Sequence, residues 1–165
     1  MALRMALAGL QPGQTWGFKD PRNGLTAEAW LEIFPKARIV HMVRDPVATL
    51  GTLPEVYDQF APAGAEARTR FWMDLWEAYV RGARQGMARV EAAIEVRFED
   101  LCADPVAVLD RIGSALGLGT PVTSDLLADI PVEAGKADLR LQLRGRLARA
   151  EFEALEALAA RYGYA

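Results

Sequence analysis

An α/β domain with a parallel sheet covered by helices on both faces is what this sequence predicts. Short apolar runs of strand length alternate with longer runs of helical period. The stretches between the strand-like runs are far too long for hairpins, which favours parallel pairing through helical crossovers. Two of the three expected strand ends run directly into Asp-Pro, and at Asp45-Pro46 the pair sets a cap residue before a proline at the first position of a helix. At 165 residues and 52% hydrophobic content the chain suits one domain, residues 1–165, with a core of ordinary size.

The elements follow in order. The opening MALRMALAGL reads as the end of a buried helix, since its apolar stretch is well short of the ~20 residues a membrane-spanning helix needs. Thr15 to Lys19 alternates large apolar with smaller residues and stops at Asp20-Pro21, which predicts a short first strand. Thr26 is placed to cap a helix carrying Trp30, Leu31, Ile33 and Phe34, ended by Pro35. Ala37 to Val43 is rich in apolar and β-branched residues and reads as a buried strand.

Pro46 then sits at the first position of a helix, where a missing N–H costs nothing. From about Ala65 to Ala88, Phe71, Trp72, Leu75, Trp76, Tyr79 and Val80 recur at helical spacing, and Trp72, Trp76 and Tyr79 are assigned to core packing. Ile94, Val96 and Phe98 alternate with Glu95 and Arg97 as a third strand. Asp104-Pro105 repeats the cap-and-proline device, and Gly117 ends that helix. A linker through Pro121 leads to a basic stretch, Lys136 to Arg149, read as a loop or a solvated face, and a last helix runs from about Ala148 to Tyr162.

Composition narrows the function. With 19 Lys and Arg against 22 Asp and Glu the formal net charge is −3, so neither nucleic acid nor an anionic membrane is an expected partner, and any anion site must come from local placement of cations. A single cysteine, Cys102, excludes an intrachain disulfide and fits a reducing, cytoplasmic setting. One histidine, His41, lies mid-strand among apolar neighbours and is expected in the core rather than as a base; with one His and one Cys, no metal is expected.

In sheets of this kind ligands bind beyond the carboxyl ends of the strands. Those ends carry Lys19-Asp20, Arg44-Asp45 and Glu99-Asp100. Arg44 sits where a strand gives way to a helix whose dipole favours an anion, and Thr52, eight residues on, offers a hydroxyl to the same phosphate. Glu99-Asp100 is expected to cap or to pair with a nearby arginine.

The stretch VRDPVATLGT resembles the 3'-phosphate motif of the sulfotransferase family, Arg-Asn/Asp-Pro with a hydroxyl residue at the ninth position, here Thr52. FKDPR, FPKARIVHMVRDP, VRFEDLCADPVAVLDRIGSALGL and the closing Tyr162-Gly163-Tyr164 resemble further family segments in the same order, over roughly Trp16 to Tyr164. The resemblance implies a three-layer α/β/α, phosphate-loop-like fold. It also implies transfer of a sulfuryl group from 3'-phosphoadenosine 5'-phosphosulfate to a hydroxyl or amine acceptor. Arg44 and Thr52 would hold the donor's 3'-phosphate, Lys19 would steady charge near the sulfuryl group with Asp20 beside it as a candidate base, and Arg144-Gly145-Arg146 would close over the donor.

The family's upstream glycine-rich loop, which cradles the 5'-phosphosulfate through backbone amides, has no match in residues 1–20. The expectation is therefore an incomplete domain, a fragment or a chain completed by a partner, with strand edges left unpaired in mid-sheet and able to associate. A non-catalytic nucleotide-binding or interaction module is the alternative.

Overall fold

The computed structural model describes residues 15–119, 127 and 137–164. In chain order the elements are α1 (Asn23–Ile33), β1 (Ile39–Val43), α2 (Pro46–Tyr57), α3 (Ala65–Met87), β2 (Ala93–Arg97), α4 (Phe98–Ala103), α5 (Pro105–Ala115), α6 (Ala137–Arg146) and α7 (Arg149–Arg161). Strands β1 and β2 pair in parallel, in unbroken register from Ile39 opposite Ala93 to Val43 opposite Arg97.

The Asp45-Pro46 and Asp104-Pro105 pairs behave as the sequence predicts. Asp45 Oδ1 accepts from the Val47 N–H at 2.8 Å, and Asp104 Oδ1 accepts from the Ala107 N–H at 3.0 Å, each with proline as the first helical residue. The tryptophans of the α3 stripe are core: Trp72, Trp76 and Val80 are buried together with Val43, Val47, Leu143, Leu155 and Leu158, while Tyr79 is half-buried and Phe71 exposed. A second cluster, Val96, Leu101 and Val108 with Ile94, Leu109 and Ile112, fastens α4 and α5 to β2.

Partners in a parallel pair share a face. Ile39, His41, Val43, Ala93, Glu95 and Arg97 look toward α3, while Val40, Met42, Ile94 and Val96 look the other way. Helices thus lie on both sides of the sheet, as predicted. Helix α1 packs tightly on α3, because Gly82 brings the two backbones so close that a Cβ there would run into the Gly24 carbonyl oxygen.

Four expectations are corrected. Residues 15–19 form no strand. A strand needs a ladder partner for its amides, and Trp16 and Phe18 find ring partners instead: Trp16 meets Phe34 at 5.3 Å and Phe18 meets Trp30 at 4.8 Å between centroids. Thr26 does not cap α1, which opens three residues earlier; its hydroxyl donates to the Arg22 carbonyl from inside the helix. Strand β1 is not buried on both sides, because α5 covers only the β2 half of the far face and leaves Val40 and Met42 exposed. Part of the basic stretch is helix: residues 137–146 form α6, anchored by buried Leu143. The readings of MALRMALAGL, of the linker at Pro121 and of Lys136 lie outside the described residues.

Candidate functional site

The carboxyl ends of β1 and β2 meet where α2 and α4 begin, and Arg44, Asp45, Glu99 and Arg140 gather there. Arg44 follows the last residue of β1 and is half-buried. Its guanidinium lies over the Phe98 ring, 5.0 Å from the centroid, a cation–π contact that helps fix the side chain. None of the ion pairs among the described side chains involves Arg44.

Its neighbour Asp45 is fully engaged. Oδ1 caps α2 through Val47, and Oδ2 accepts from Arg140 Nη2 at 2.8 Å. The Asp45 N–H itself donates to Glu99 Oε1 at 2.9 Å, so Glu99 has the capping role expected of it. Two of the amides that would make the start of α2 an anion site are therefore already used by the chain's own carboxylates. What the turn offers an incoming phosphate is the Arg44 side chain.

Arg140 is the hub that sequence reasoning passed over. Its Nη1 contacts both oxygens of Glu156, at 2.9 and 2.7 Å, and its Nη2 also reaches the Tyr164 carbonyl at 3.5 Å. Burial works against its charge, but the carboxylates of Asp45 and Glu156 outweigh this and raise its pKa. No spacing marks it out from the other arginines between 140 and 149; only the tertiary fold brings α6 against the start of α2.

The closing Tyr-Gly-Tyr docks on the arginines that flank β2. Arg84 lies over Tyr162 at 5.2 Å and Arg97 over Tyr164 at 4.6 Å. The Tyr164 hydroxyl and Glu99 Oε2 are both buried without a hydrogen-bond partner among the described residues. Burial first, and the Glu99 charge second, push the Tyr164 pKa well up, so the phenol stays protonated. Alongside, Glu95 receives a bidentate pair from Arg84 at 2.8 Å and faces His41 Nδ1 at 3.1 Å. Burial holds the His41 pKa below its usual value against the pull of Glu95, consistent with a histidine packed into the fold.

The remaining site residues are dispersed. The Thr52 hydroxyl is half-buried on α2 and donates to the Thr49 carbonyl at 2.9 Å, a common helical habit of threonine, so it must turn from that carbonyl to serve a phosphate. Arg144 and Arg146, in the last turn of α6, diverge. Arg146 lines a cavity of about 180 Å³ with Gly51, the residue before Thr52, and with Arg68, Thr69 and Trp72. Arg144 lines a surface depression beside Arg140 and Phe152. Gly145, between them, is in open space. Lys19 is exposed, and the Asp20 carboxylate is gripped by the Arg22 side chain and backbone, which lowers its pKa to about 2. A carboxylate that acidic is a feeble proton acceptor near neutral pH.

A model of the sulfotransferase family matches residues 2–121, well over half of the chain. The chain belongs to the sulfotransferase family. Two relatives are each 30% identical over 109 residues: the omega-hydroxy-beta-dihydromenaquinone-9 sulfotransferases Stf3 of Mycobacterium bovis and of Mycobacterium tuberculosis. The match covers 61% of this chain and 28% of each relative, so the chain spans less than a third of the relatives' length. No solved structure matches it. Within the family frame, Arg44-Asp45-Pro46 and the Phe98-Glu99-Asp100 segment come from two strands yet meet at one corner. Among the described residues no helix is long and apolar enough to cross a membrane, and no cluster of His, Cys, Asp and Glu assembles.

Proposed function

We propose that this chain is the 3'-phosphate-holding part of a sulfotransferase, acting in the transfer of a sulfuryl group from 3'-phosphoadenosine 5'-phosphosulfate to a hydroxyl or amine. Arg44 supplies the charged fork for the donor's 3'-phosphate, Thr52 a hydroxyl, and Arg146 a further cation from the cavity beside Gly51. One observation carries the reading: Arg44 stands at the carboxyl end of β1, propped on Phe98, while the acid next to it is taken by another arginine. A guanidinium kept from its nearest carboxylate is a ready partner for an exogenous anion. Of the two acceptor classes, the hydroxyl is the one the relatives' name supports. Lys19 is assigned to charge stabilisation near the transferred group, and the cytoplasm is the setting that one unpaired cysteine suits.

Isothermal titration with 3'-phosphoadenosine 5'-phosphate tests this. Arg44→Ala should weaken binding on the order of a hundredfold, as expected when one member of a charge-assisted phosphate contact is removed; equal binding by both proteins refutes the assignment.

A second reading, a nucleotide-binding or interaction module without transfer, is favoured by the direct pairing of β1 with β2, which leaves no loop-bearing strand between them. It predicts nucleotide binding in the titration together with no sulfate transfer when the chain is assayed with acceptor panels.

A further inference from the structure

Asp45 poses a problem for any phosphate bound by Arg44. It is the adjacent residue, it is negatively charged, and Glu99 adds a second carboxylate at the same turn through the Asp45 N–H. Left alone, Asp45 could pair with Arg44 and also repel the ligand, and charges a few ångströms apart in a partly desolvated corner interact strongly. The structure shows where that charge is spent: Oδ2 lies 2.8 Å from Arg140 Nη2, with Oδ1 on the Val47 amide. Arg140 is in turn braced by Glu156 and by the carbonyl of Tyr164, so it is anchored from α7 and from the chain's last residues. Asp45 is mostly buried in this arrangement, its side chain only 14% exposed.

We propose that Arg140 is a positioning residue for the phosphate site: by holding the Asp45 carboxylate it keeps that anion off Arg44 and leaves Arg44 available to the ligand. This rests on the reading of Arg44 as the donor-phosphate residue and extends it to a residue on a different helix, ninety-six positions along the chain from Arg44. Arg140 touches no reacting atom in this scheme. It acts through Asp45.

A double-mutant cycle read by titration with 3'-phosphoadenosine 5'-phosphate tests it. Arg140→Ala should weaken binding about tenfold, within the coupling seen for neighbouring charges. Asp45→Asn, which retains a capping oxygen for Val47, should restore most of that loss in the double variant, because the competing charge has gone. Arg140→Lys should fall within about threefold of the parent, since it keeps a cation beside Asp45 while losing the fork. Thermal melting alongside checks folding. If Asp45→Asn fails to rescue an Arg140→Ala protein that melts cooperatively, Arg140 is a packing residue only and the proposal is overturned. If instead Arg44→Ala binds as the parent does, the donor-phosphate reading itself has failed, and the two failures are told apart by that one variant.

Discussion

The two faces of the β1–β2 sheet are constructed in different ways, and the contrast tracks where function is expected. The face toward α3 is tied at every level: His41 to Glu95, Glu95 to Arg84, Arg97 and Arg84 to the two closing tyrosines, and Val43 into the largest core cluster. The opposite face is covered by α5 only over β2, and Val40 and Met42 of β1 stand 41% and 44% exposed. Arg44 and Asp45, the residues of the proposed phosphate site, lie beyond the carboxyl end of β1. Charged side chains that must keep one geometry need a rigid surround, and the α6–α7 unit with the terminal tyrosines supplies it, while the uncovered apolar half makes no such demand.

The sharpest way to break the comparison is to remove core beneath the tied face. Leu155 of α7 is fully buried among Val43, Val47, Trp76 and Leu158. Leu155→Ala should destabilise the chain by about 3 kcal/mol, the usual cost of a large-to-small change at a site that cannot collapse. Urea unfolding followed by tryptophan fluorescence measures it. A cost below about 1 kcal/mol would show that this region is as loose as the exposed half.

Much of this arrangement is legible in the letters, and what is not has physical causes. Helices α2 and α5 announce themselves because a cap and a proline act locally, and the α3 stripe because burial imposes a 3.6-residue period on the sequence. The Arg44 turn is legible for the same local reason. By contrast, Thr15 to Lys19 has strand-like alternation and yet no ladder, since pairing depends on a neighbour that local pattern does not encode. Arg140 is hidden for a related reason: its partners Asp45 and Tyr164 lie far away in sequence, and no short motif records them. Glu99 falls between these cases, with a capping role foreseen and its partner, the Asp45 amide, supplied only by the fold.

A middle-sized effect sharpens the account of the closing tyrosines. Gly163 has φ of +79°, and a Cβ there would come within 2.7 Å of Arg97 Nη2. Only glycine adopts that conformation without strain, so Gly163→Ala should cost about 1–2 kcal/mol, through the backbone and through displacement of Arg97 from Tyr164. Equilibrium unfolding reads the loss. Because Tyr164 also meets Arg140 through its carbonyl, the same variant should weaken nucleotide binding by a smaller factor than Arg140→Ala does.

The smallest effect belongs to the uncovered half. Replacing Val40 by Thr and Met42 by Gln together should change stability by no more than about 0.5 kcal/mol, because side chains that stay wet after folding contribute little to it, and threonine keeps the β-branched shape a strand prefers. The two substitutions should also reduce concentration-dependent association, since they remove adjoining exposed apolar surface from a strand at the margin of its sheet. Light scattering across a concentration series, beside the unfolding curve, reads both quantities. A destabilisation above about 1.5 kcal/mol would be too large for exposed positions. It would mean that Val40 and Met42 are covered in the folded chain, and the contrast between the two faces would then give way to a sheet buried on both sides, as the run of apolar residues from Ala37 to Val43 first suggested.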